Sequence, residues 1–196
     1  MCSSRLPDIR RPWSLRARLL AGQIALLTVA CLGIGAVTEL ALYQYLVSQL
    51  DHQLHDAARR SARLHGQPPP AWHRHHRPRP GPGPDFLDAP GQPVGMVGAV
   101  VGTMDGEAMI VDAGCLGTSG QREDLSPSAT TQLVDVAADP TPVTRRLDGI
   151  GRYRLVATPA RHGEEIIITG LPLAGVDATM VRVLLIFGLV TLVAVA

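Results

Sequence analysis

LLAGQIALLTVACLGIGAVT, residues 19–38, is twenty consecutive residues without a charge. At the rise of an α-helix that length covers roughly 30 Å, the thickness of a bilayer's hydrocarbon layer. The stretch predicts a transmembrane helix, taken to extend over residues 19–41. A second uncharged run, VLLIFGLVTLVAVA, follows Arg182 and occupies the last fourteen residues. It is shorter than the ~20 residues of a normal span and is read as the start of a second, truncated transmembrane helix over residues 178–196.

Charge sets the orientation. Arg5, Arg10, Arg11, Arg16 and Arg18 precede the first run, opposed there only by Asp8. Basic residues beside a span stay cytoplasmic, so residues 1–18 are expected inside and residues 42–177 outside a multi-pass membrane protein. A net charge of +1 says little about partners, and nucleic-acid binding has no support because an exported domain would never meet a genome. The cysteines cannot build a disulfide framework: Cys2 falls on the cytoplasmic side, Cys31 in the membrane, and Cys115 alone on the exported side. Two rivals to a transmembrane helix are a cleaved signal peptide, whose apolar stretch would be shorter, and a lipoprotein box ending at Cys31, after which the chain would turn polar rather than remain apolar to Val37.

Beyond Glu39 the helical pattern continues. Tyr43, Val47, Leu50, Leu54, Ala57, Ser61 and Leu64 recur at alternating intervals of four and three, and neither Gly nor Pro interrupts residues 36–65. A stalk helix over 42–65 follows. Its seam, with Val47, Leu50 and Leu54 at the centre, pairs with a second copy or packs on the domain after it; the pattern is the same for both. Residues 66–93 then hold more than half of the sixteen prolines, with Gly and His and few aliphatic side chains. Composition predicts a polyproline-like or disordered linker there, contributing no core element.

From residue 94 to 177 the periodicity is that of strands. GMVGAVVGT and EAMIVD flank an Asp-Gly turn; Ser126-Pro127 opens a helix to about Ala138; VTRRL, RYRLVAT and EIIITGLPL follow, joined by tight turns. Asp177 is then expected to cap the second membrane helix. The fold class is α+β: a small antiparallel sheet of about five strands with a helix packed on it, carried between two membrane helices.

No catalytic set emerges, since neither a phosphate-binding glycine loop nor a nucleophile elbow is present, and no cofactor-binding residues are assigned. The one candidate metal site is His73, His75 and His76, with Asp85 and Asp88 downstream, a donor set suited to Zn²⁺, Cu²⁺ or Ni²⁺. Against it stand Arg74, Arg77 and Arg79, which repel a cation. Pro172, Gly175 and Asp177, between the last strand and the second span, are the candidate signal-coupling residues.

Four segments carry a resemblance: Trp13-Ser14-Leu15-Arg16-Ala17-Arg18-Leu19, Leu50-Asp51-His52-Gln53-Leu54, Gly151-Arg152-Tyr153-Arg154-Leu155-Val156-Ala157, and Gly170 through Thr179. In order and spacing the chain resembles the N-terminal sensor portion of two-component transmembrane sensor histidine kinases of high-GC bacteria. The resemblance implies signal input from outside the cell, a homodimer in the lipid bilayer, an unknown small ligand or metal ion as stimulus, and a cytoplasmic response regulator as partner. It also implies a HAMP linker, a phospho-accepting helix pair and a kinase core using ATP and Mg. No histidine here stands in that family's Ser-His-Glu-Leu-Arg type of motif, so no phosphoacceptor is carried over. The competing class is a non-kinase receptor of the same topology, such as a chemoreceptor, a cyclase, an anti-sigma anchor or a membrane-anchored binding module.

Overall fold

Helix α1 runs unbroken from Leu15 to Leu64, joining the apolar run and the stalk in one element. The computed structural model describes residues 15–66, 81–104, 106–136, 140–160 and 165–195. Two compact units divide them: one holds the described residues up to Leu42 and from Met180 onward, the other Tyr43–Thr179.

The first unit consists of the N-terminal part of α1 and most of α3 (Ala174–Val195). Both helices are long and apolar enough to cross a membrane, and their apolar windows are unburied within the protein. Leu19, Leu26, Ile34, Leu185 and Val193 all face outward. Such a surface suits a hydrocarbon surrounding. Two hydroxyls in these helices are satisfied internally: that of Thr28 donates to the Ile24 carbonyl and that of Thr191 to the Phe187 carbonyl, each at 2.8 Å.

The second unit is built on an antiparallel sheet of β1 (Val97–Met104), β2 (Glu107–Leu116), β3 (Arg122–Glu123), β4 (Val143–Leu147), β5 (Gly151–Pro159) and β6 (Ile166–Pro172). The order across the sheet is β3-β2-β1-β6-β5-β4. Two meanders meet where β6 pairs with β1, Val97 lying opposite Gly170 and Val101 opposite Ile166. The last strand before α3 therefore sits at the centre of the sheet. Turn chemistry agrees with this layout, since Gly106 (φ +86°) and Gly149 (φ +88°) occupy the left-handed region that glycine enters without strain.

Strand alternation creates two apolar faces, and each is covered differently. On one, Leu54, Ala57 and Ala58 of α1 lie on Met96, Val100, Val156, Ile167 and Leu171. On the other, Ala129 and Leu133 of α2 (Pro127–Val134) lie on Val97, Ala99, Leu147, Leu155 and Ile168. Helix α2 starts as expected: Pro127 is in its first turn and the Ser126 hydroxyl accepts the Ala129 N–H at 3.2 Å. It ends at Val134, earlier than Ala138. A sixth strand, β3, is a two-residue piece lying where the sequence shows only polar residues.

The Pro-rich stretch needs correction in its last part. Residues 67–80 lie outside the described residues, but Asp85–Asp88 form a 3-10 turn that buries Phe86 and Leu87 in the core under α1. Gly98 makes room for them, because a Cβ there would stand 2.7 Å from the Phe86 ring. Arg122 fixes the turn from β3: its side chain is 4 % exposed and reaches the Gly83 carbonyl, Asp85 and Asp88. Composition averaged over 66–93 hides two adjacent large apolar side chains that find a slot.

Cys115 is free and buried at the edge of the second face. Burial, then the charges of Glu123 and Asp124, raise its pKa, so the thiol is held protonated. With the other cysteines replaced by serine, alkylation by iodoacetamide at pH 8 should be at least about tenfold slower in the folded chain than in the unfolded one. Equal rates would show that Cys115 is accessible.

Candidate signal-coupling site

A strand carries side chains of the same face at every second residue, so Arg152 and Arg154 of β5 point to one side, the side that α1 covers. Arg154 meets the stalk. Its Nε donates to Asp51 Oδ1 at 2.7 Å and its Nη2 to Asp51 Oδ2 at 2.9 Å, a two-pronged pair linking residues 103 apart in sequence. The third nitrogen, Nη1, donates to the Thr144 hydroxyl on β4 at 3.1 Å. The side chains are 20 % and 26 % exposed. The hydrogen bond to Asp51 raises the pKa of Arg154 above its ordinary value, desolvation opposes that, and the charges of Asp51 and Tyr43 add to it.

Arg152 meets α3, its Nη1 donating to Asp177 Oδ1 at 2.8 Å. Asp177 is in the first turn of α3 rather than at its cap, because the helix begins three residues earlier, at Ala174. Its carboxylate is still well placed, beside the positive end of the helix dipole. Only Leu173 separates β6 from α3, and it is locked on both sides: its N–H donates to the Arg152 carbonyl and its carbonyl accepts the Asp177 N–H, both at 2.9 Å. Pro172 ends β6 opposite Tyr153, and Gly175 lies inside the first turn of α3. β5 thus holds the stalk by one arginine and the start of α3 by the next on that face.

At the far end of the stalk His65 Nε2 is 2.6 Å from Glu165 Oε2, and its ring stands edge-on to Phe86. Ser61, fully buried, accepts the Gln92 side-chain N–H at 3.3 Å. Of the seam residues, Leu54 is fully buried and Leu50 packs against the same cluster of their own chain, while Val47 is half-buried. His73, His75 and His76 lie outside the described residues. Among the described residues no group of His, Cys, Asp and Glu is arranged to hold a metal ion. The arginine links were not assigned from sequence; the signal available was the Arg-x-Arg spacing within a strand, which puts Arg152 and Arg154 on one face.

A double-mutant cycle on Asp51 and Arg154 should give a coupling energy of about 1–2 kcal/mol, between an exposed pair and a buried one. Asp51→Ala alone should cost more than Asp51→Ala in the Arg154→Ala background, since it leaves a half-buried guanidinium unpaired. Additive losses would show that the pair is not coupled.

In chain order the antiparallel sheet lies between two helices apolar enough to span a membrane, and β5 pairs with Asp51 of α1 and Asp177 of α3. Over 167 residues the chain is 49 % identical to the probable sensor histidine kinase TcrY of Mycobacterium tuberculosis. The alignment takes in 83 % of this chain and 34 % of that protein, its N-terminal portion, so the chain spans about a third of this curated relative. The chain is a homologue of that portion of a sensor histidine kinase. No family model and no solved structure matches it.

Proposed function

We propose that this chain is the signal-input region of a membrane sensor histidine kinase, which receives a stimulus in the exported sheet domain and passes it through the membrane helices to a kinase core that phosphorylates a response regulator. The N-terminus is cytoplasmic, residues 42–177 are extracytoplasmic, and the receptor works as a homodimer. ATP and Mg act in the kinase core of the longer protein to which the homology points. The observation that carries this reading is the double hold of β5, on Asp51 of the stalk and on Asp177 of α3.

Mechanism follows from that hold. A stimulus acts by binding one arrangement of the domain better than another, and about 5.5 kcal/mol of differential binding moves a two-state receptor from 1:99 to 99:1. With Leu173 alone between β6 and α3, a shift of the stalk against the sheet has no slack to absorb it and moves the first turn of α3. Pro172, Gly175 and Asp177 form the joint.

Basal autophosphorylation of the full-length protein in nanodiscs tests this without knowledge of the stimulus. Asp51→Ala should change it several-fold, and a Gly-Ser pair inserted after Gly175 should erase the difference between the wild type and the Asp51→Ala variant. Unchanged activity in Asp51→Ala, or a difference that survives the insertion, would remove the rigid link. Reporter fusions after Leu64 and Val134 should read as exported.

A further inference from the structure

Arg146 of β4 lies directly opposite Arg152 of β5, and Thr144 opposite Arg154, so all four share the face that α1 covers in part. Like charges directly opposite across an antiparallel pair are destabilising. The fold sets Arg146 and Arg152 side by side on neighbouring strands, and among the described residues the carboxylates paired with arginines of this face are Asp51 and Asp177. Asp51 is occupied by two prongs of Arg154, and Asp177 takes one N–H of Arg152. The Arg152 side chain remains 42 % exposed, and Arg146 is exposed, with no carboxylate within ion-pair distance among the described residues.

A charge on β4 is expected in itself, since β4 is an edge strand and edge charges discourage pairing with other chains. That requirement is met by either sign, and Arg145, on the opposite face of β4, already meets it. A glutamate at 146 would guard the edge and pair with Arg152. Arginine there does the first and adds repulsion, which an anion between the two guanidiniums would remove. Two planar forks on adjacent strands suit a tetrahedral oxyanion, which accepts paired N–H donors from each.

We propose that Arg146 and Arg152 bind a phosphate-type oxyanion and that this anion competes with Asp177 for Arg152. The second half rests on the input-region reading, because it makes the anion loosen the hold of β5 on α3; the binding itself does not. The phosphate is either free in solution or part of a phospholipid headgroup, since Asp177 lies only five residues before Arg182 and the apolar run that follows it.

The experiment uses the full chain in nanodiscs and follows the ¹⁵Nε resonance of Arg152. One arm titrates inorganic phosphate into phosphatidylcholine discs; the other replaces part of the phosphatidylcholine by phosphatidylglycerol with no phosphate added. A saturable shift is expected in at least one arm, the first identifying a free anion and the second a headgroup. Arg146→Gln should weaken the response about tenfold, the loss of one of two paired ligands, while Arg145→Gln on the other face should leave it within twofold. Because Arg146 makes no ion pair or side-chain hydrogen bond among the described residues, the variant tests the site without disturbing the Asp177 link. No shift in either arm, or equal losses for Arg145→Gln and Arg146→Gln, would overturn the proposal. Neither arm reads kinase output, so that failure would leave the input-region reading in place. Conversely, autophosphorylation indifferent to Asp51→Ala would sink that reading and not the anion site.

Discussion

Replacing Leu54 by alanine is expected to destabilise the sheet-bearing unit by about 3 kcal/mol, in the middle of the range for a fully buried leucine that leaves a cavity. Leu54 is 0 % exposed and wedged among residues of the stalk, the 3-10 turn and the sheet. Native-state hydrogen exchange of the β1 and β6 amides, measured on the full chain in micelles, reports that loss directly. The outcome also separates two roles for the stalk. A leucine in its own domain's core gives a loss independent of protein concentration; a leucine in a seam between copies gives one that grows as concentration rises through the range in which the copies pair. Val47, half-buried and outside the core cluster, is the place to look for the seam: a cysteine there should cross-link two copies more readily than one at Gln49 or Gln53 if the stalk pairs. Equal cross-linking at all three would remove the dimer seam.

The alternation of four and three along Tyr43–Leu64 was legible, yet its meaning was not. Leu50, Leu54, Ala57 and Ser61 repeat as they would in a coiled coil, and the structure lays the buried members on a sheet, because the repeat records that one face is apolar and not what covers it. The strands were legible for a firmer reason. Runs such as Ile166–Pro172 are short, apolar and bounded by turn residues, and the glycines at 106 and 149 mark the tight turns by a backbone conformation few other residues adopt. β3 escaped because two polar residues have no periodicity. The ion pairs escaped for a different reason: Asp51 and Arg154 are 103 residues apart, and nothing local to either says which of eighteen basic residues a carboxylate will meet. Only the β1–β6 pairing, which closes the sheet, brings β5 under the stalk.

Phe86→Ala should be about as damaging as the loss of Leu54 or more, at roughly 3–5 kcal/mol, because a ring that fills a slot left by a glycine cannot be replaced by collapse of its surroundings. Its neighbours there are backbone at Gly98 and the His65 ring, and neither can move into the space without breaking the ladder of β1 or the His65–Glu165 contact. The same reasoning divides the Pro-rich stretch at a definite point. Deleting residues 68–80 should leave exchange protection of the sheet amides within about 0.5 kcal/mol of the intact chain, since Phe86, Leu87 and the arginine that holds their turn all remain. Extending the deletion to residue 90 removes both apolar side chains and exposes the stalk face of Met96 and Val100, so protection should fall by at least the Phe86→Ala loss. If both deletions proved harmless, the 3-10 turn would be an appendage to the core and not part of it. Were the shorter one as costly as the longer, residues 68–80 would have to pack on the domain, with His73, His75 and His76 beside the stalk; titration with Zn²⁺, Cu²⁺ and Ni²⁺ would then be read by the same amides, and no response at micromolar metal would retire the metal site.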